Sequence, residues 1–120
     1  MSKRHTLVIM KKYIEKNELA ALFFLHYFKY TRFAFKKQKS DEDKASINAH
    51  RALMRMFGGW HKEEGRVLAS NVIEGIRRYI VSTDNDYLKG FVAVMEEALR
   101  FIYDNVLVEE REQKLLERYA

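Results

Sequence analysis

The sequence predicts an all-α protein, a compact bundle or array of four to five helices forming a single helical domain over residues 1–120. Three observations carry that reading. Apolar residues recur at three- and four-residue spacing in most windows, the pattern of amphipathic helices. Period-two runs are absent apart from Phe33-Ala34-Phe35. The 120 residues include no proline, the residue that breaks helix interiors by removing a hydrogen bond and clashing with the preceding turn. A hydrophobic fraction of 48% suits one globular core at this length.

Taken in order, a first short helix is expected from about Thr6 to Lys16, with Thr6 as N-cap and Leu7, Met10 and Ile14 sharing a face. A second covers about Glu18 to Lys37. At about 100° per residue, Phe23, Phe24, Tyr27, Phe28, Thr31, Ala34 and Phe35 fall on one broad face, with Lys29, Arg32 and Lys36 on the opposite stripe. The aromatic face is therefore assigned to the core. Tyr30 and Phe33, nearer the basic stripe, are the rings expected to meet a ligand or a partner chain.

Ser40 and Asp43 have the spacing of a capping box, and Asp41-Glu42-Asp43 suits the positive end of a helix dipole. The third helix then carries Ile47, Leu53, Met54 and Phe57 inward and is expected to stop at Gly58-Gly59. A fourth runs from about Trp60 to Val81 along Leu68, Val72, Ile76, Tyr79 and Ile80, with Gly65 and Gly75 inside it as points of close helix approach. Ser82 to Asp86 reads as a turn, with Thr83 or Asp84 capping the next helix. Leu88, Phe91, Met95, Leu99, Ile102 and Val106 form its near-heptad series. From Glu109 the charged stretch with Leu115, Leu116 and Tyr119 continues that helix or forms a short separate one.

Chemistry-bearing motifs are missing. There is no Cys, so neither a disulfide nor a thiol nucleophile exists, which suits a reducing compartment. The run Leu7–Met10 is shorter than the roughly 7–15 residues of a secretory apolar region. Leu19 to Phe28 falls short of the roughly 20 residues of a membrane span. A cytoplasmic protein with no membrane partner is expected. His5, His26, His50 and His61 form no His-x-x-x-His pair and no Glu-x-x-His motif, so they read as ordinary, partly exposed side chains rather than metal ligands. No serine lies in a Gly-x-Ser-x-Gly elbow. Gly58-Gly59 and Gly65 match no phosphate-binding loop. The adjacent carboxylates at Glu63-Glu64, Glu96-Glu97 and Glu109-Glu110 diverge by about 100° on a helix. A non-enzymatic protein without cofactor or metal is expected.

Charge is the remaining signal. Residues 1–40 hold ten Lys/Arg against two Asp/Glu, whereas residues 41–120 hold twelve against fifteen. Eight of the sixteen aromatics also fall in the first forty residues. A segment so biased can face an anionic partner, since basic patches are the electrostatic footprint of nucleic-acid binding. Lys29, Arg32 and Lys36, one helical turn apart with Lys37 beyond, can follow a phosphate backbone, assisted by Lys11, Lys12, Arg51 and Arg55. Neither flanking helix at Gly58-Gly59 or at residues 82–86 has the polar recognition face of a helix-turn-helix reader. The expected function is thus binding of RNA or DNA through its backbone, or of an anionic surface, in the manner of a small subunit of a nucleoprotein assembly. The alternative is a protein-interaction module, such as a viral or plasmid-type inhibitor or adaptor that binds a host protein, working on an acidic protein surface or as a homodimer or subunit of a larger complex.

Overall fold

Helix formation follows the apolar periodicity, and the chain is all-α in class. The computed structural model describes residues 6–82 and 88–112. Among these, four α-helices carry the architecture: α1 (Lys16–Ala34), α2 (Asp41–Glu63), α3 (Ala69–Ser82) and α4 (Lys89–Phe101), the last running on into a π-helical turn at Ile102–Val106. Two short antiparallel ribbons join their ends. β1 (Thr6–Met10) pairs with β4 (Val108–Glu112), Met10 opposite Val108. β2 (Tyr13–Glu15) pairs with β3 (Arg66–Leu68), Ile14 opposite Val67.

These ribbons correct the expected first helix at Thr6–Lys16 and the helical reading of the segment after Glu109. Val8 and Ile9 are β-branched and stiff at χ1, which suits strands better than helices. Their pairing partner lies about a hundred residues away, out of reach of a local periodicity. Within β2, only Ile14 is buried between two half-exposed neighbours, the alternation of a strand. Met10, expected in the core, is exposed.

α2 begins as expected. The Ser40 Oγ accepts from the Asp43 N–H at 3.1 Å, and Asp43 Oδ2 accepts from the Ser40 N–H at 3.0 Å. It does not stop at Gly58-Gly59. Glycine permits a helix end without imposing one, and here the helix continues to Glu63. The stop is Gly65, at φ +70°, whose N–H reaches the Trp60 carbonyl at 2.8 Å. That left-handed conformation is the one glycine supplies cheaply after a helix. The expected fourth helix from Trp60 is therefore split, its first turn belonging to α2 and the remainder to β3 and α3. Gly75 does mark a close approach: a Cβ there would lie 3.1 Å from Met56 Sδ.

The core gathers Ile14, Leu19, Leu22, Leu53, Phe57, Val72, Ile76, Met95, Ile102 and Leu107, all essentially inaccessible. α1 and α2 pack as an antiparallel hairpin, with α4 against α2 and α3 against α4. The π turn carries Ile102 inward, and its final bond, from the Leu107 N–H to the Ile102 carbonyl at 2.9 Å, spans five residues. The Lys11 N–H then bonds the Leu107 carbonyl at 2.6 Å, tying the end of β1 to that turn. The expected caps at Thr83 and Asp84 and the residues Leu115, Leu116 and Tyr119 lie outside the described residues.

Candidate nucleic-acid interface

α1 is rolled relative to the sequence expectation. Its buried line is Leu19, Leu22 and His26, flanked by half-buried Leu25, Phe33 and Lys29. The aromatic face assigned to the core points to solvent instead: Phe24 is 54% exposed, Tyr27 43%, Phe28 63% and Phe35 83%. Tyr30 and Phe33, expected to meet a partner, are half-buried. The buried line has polar partners across the hairpin. His26 Nδ1 lies 3.1 Å from His50 Nδ1, and the two rings stack in a column with Phe33 and Phe57. Hydrogen bonding makes this polar pair buriable beside Leu19 and Leu22.

The paired histidines also correct the expectation of ordinary exposed ones: His26 and His50 are 2% and 4% accessible. Burial, then the neighbouring His50 and Lys29, push the His26 pKa down to about 3. Burial and Lys29, partly opposed by Glu97, push His50 down to about 4. Both rings are neutral at physiological pH, one Nδ1 donating and the other accepting.

The predicted basic stripe is divided. Lys29 turns toward α4, 3.7 Å from Glu97. Lys36 is 3.1 Å from Asp43 and sits over the Phe33 ring. Lys11 lies on the flank of α1 that borders the π turn, held by Glu18 at 2.6 Å. Lys12 covers Tyr13. Arg32 and Lys37 are exposed without an ion pair among the described residues. Lys11, Lys29 and Lys36 are thus each paired with a carboxylate, and Lys12 with a ring.

Arg51 and Arg55 do converge, and with two cations outside the predicted set. At about 100° per residue, Lys44, Arg51, Arg55 and Lys62 fall within about 40° of one another on α2. All four are exposed, and the row spans roughly 27 Å at the helical rise of about 1.5 Å per residue. No carboxylate interrupts it. Their 7-4-7 spacing was readable in the sequence, but only once α2 was known to pass through Gly58-Gly59.

Beside this row the surface is hollowed. One depression of about 360 Å³ is bounded by Phe23, Met54, Gly58 and Gly59 with Arg51, Arg55 and Lys62 at its margin. A second, of about 230 Å³, lies across Phe23 between Ala20, Phe24, Gly58 and His61. Gly58 makes the shared floor: a Cβ there would sit 3.3 Å from the Phe23 ring. Arg51 leans over Tyr30, 5.6 Å from the ring centre. On the α1 side, Phe23, Phe24, Tyr27 and Phe28 form a continuous set of rings, with centroids 5.5 to 6.5 Å apart.

Another hollow, of about 370 Å³, lies between α1 and the π turn, lined by Leu22, Leu25, Phe101 and Val106. Its polar groups are already engaged, Glu18 by Lys11 and the Asn105 amide by the Phe101 carbonyl. Among the described residues, no three His, Asp or Glu side chains are grouped to hold a metal ion, and no helix is long and apolar enough to cross a membrane. No protein-family model, curated protein or solved structure matches this chain.

Proposed function

We propose that the protein is a non-enzymatic nucleic-acid-binding module whose contact surface is the outer face of the α1–α2 hairpin. The observation that carries this reading is the uninterrupted row of Lys44, Arg51, Arg55 and Lys62 on α2. No carboxylate lies within the row itself, and its cations face solvent, open to a polyanion. Each phosphate they neutralise releases condensed counterions, so affinity falls steeply with salt. Arg51 and Arg55, one turn and roughly 6 Å apart, can take successive phosphates, with Arg32 and Lys37 adding positive field from α1 and its C-terminal end.

Charge reversal tests it. Arg51→Glu/Arg55→Glu is expected to weaken binding to labelled oligonucleotides by at least about tenfold at low salt and to flatten the salt slope by about two phosphate equivalents. The same charge change on α3, Arg77→Glu/Arg78→Glu, serves as control and should do much less. Equal loss from both variants would mean that net charge, not this face, drives association.

A second reading rests on the exposed rings of α1. Apolar patches rimmed by polar residues also mark protein-interaction sites. Salt-resistant self-association in light scattering, or salt-resistant binding to a protein partner, is the behaviour that reading requires.

A further inference from the structure

The α1 rings and the α2 cations lie on adjoining helices, and flat rings beside positive charge are complementary to one kind of polymer. We infer that the α1–α2 face binds single-stranded nucleic acid in preference to duplex, with unstacked bases lying on Phe24, Tyr27 and Phe28 while the backbone follows Arg51, Arg55 and Lys62. This rests on the nucleic-acid reading above and adds the strand state of the ligand.

Chemical fit is the first argument. The antiparallel pairing brings Phe23 to Gly58 and Tyr30 to Arg51, and Phe24 and Tyr27 adjoin Phe23, so the near edge of the ring set borders the cation row.

Accessibility is the second. Phe24 and Phe28 expose more than half their surface, one helical turn apart, and Tyr27 is exposed between them. Tyr27 meets Phe28 at an interplanar angle of 68°, so the rings present separate faces and edges rather than one closed stack. Bases in a duplex are stacked on each other and offer such rings only their edges. Bases of a single strand offer a free π-face, and stacking on aromatic side chains is sequence-tolerant for that reason.

The remaining chemistry agrees. A purely apolar partner would satisfy the rings but leave the adjacent Arg51, Arg55 and Lys62 desolvated without counter-charge. A rigid duplex would satisfy the cations and leave the rings against water or phosphate. The single strand satisfies both.

Fluorescence anisotropy with labelled oligothymidylate and oligouridylate of about 16 nucleotides, and with a mixed-sequence duplex of the same length, tests the inference. The intact chain should bind the single strands at least about tenfold tighter than the duplex. Phe24→Ala/Phe28→Ala should weaken single-strand binding by about tenfold or more and leave duplex binding unchanged. Phe28→Trp should retain it. Circular dichroism confirms that these surface variants stay folded. Equal affinity for single strand and duplex, or indifference of single-strand binding to the Phe24→Ala/Phe28→Ala change, overturns the inference while leaving backbone binding intact. Absence of binding to every oligonucleotide at low salt overturns both and leaves the rings as a protein-docking face.

Discussion

Two histidines lie on the face that α1 buries. With His26 and His50 opposite each other, the helix buries the Leu19–Leu22–His26 line, and its aromatic side is left to solvent. Nothing in the sequence marks these histidines as a pair. They stand twenty-four residues apart on different helices, and each alone reads as a surface residue. The eight predicted contact residues were legible as charges but not as partners: Glu18, Asp43 and Glu97, which engage Lys11, Lys36 and Lys29, sit on turns and faces that only the fold assembles. The pair has a consequence for stability. The unfolded chain binds protons at both histidines near pH 6.5, whereas the folded chain resists until about 4 for His50 and about 3 for His26. Between those values the unfolded state holds more protons, so stability falls as pH falls. The urea midpoint should be flat above about pH 7 and decline from about pH 6.5 towards pH 4. His26→Leu/His50→Leu should remove most of that decline. An unchanged pH slope in the double variant would place the acid sensitivity elsewhere.

Among the elements, α2 shows what local signals can and cannot settle. Its start was legible, because the Ser40–Asp43 box is a contiguous motif whose hydrogen bonds form within the segment. Its end was not. Gly58-Gly59 and Gly65 are the same residue type, and only the surroundings separate their roles: Gly58 makes room for Phe23, while Gly65 turns the chain at φ +70°. Gly59 has open space where a side chain would go. Gly59→Ala is therefore expected to raise stability by about 1 kcal/mol through helix propensity. Gly65→Ala is expected to lower it by about 1–2 kcal/mol through the left-handed backbone. Urea midpoints of the two variants check both, and a stabilising Gly65→Ala would show that α2 does not end there. The strands escaped the periodicity analysis for a related reason. β1 and β4 are five residues each and lie at opposite ends of the described chain, so their pairing energy is a tertiary contribution that no local window contains.

At the scale of the molecule, the helical class was legible from the absence of proline and the apolar spacing, and the charge bias from counting. What the sequence concealed was orientation. A helix with apolar residues nearly all the way round, such as α1, has more than one face that could pack. The roll of α1 turns an expected core into an exposed surface. That surface, set beside the cations of α2, is the basis of the functional account, and its location can be measured directly. Amide and aromatic chemical-shift changes in the intact, isotopically labelled protein, titrated with unlabelled oligothymidylate, report where the ligand sits. The largest changes are expected on α1 from Phe23 to Phe28 and on α2 from Arg51 to Lys62, diminishing as salt is raised. Changes centred on α3 and α4, or no change at low salt, would contradict it.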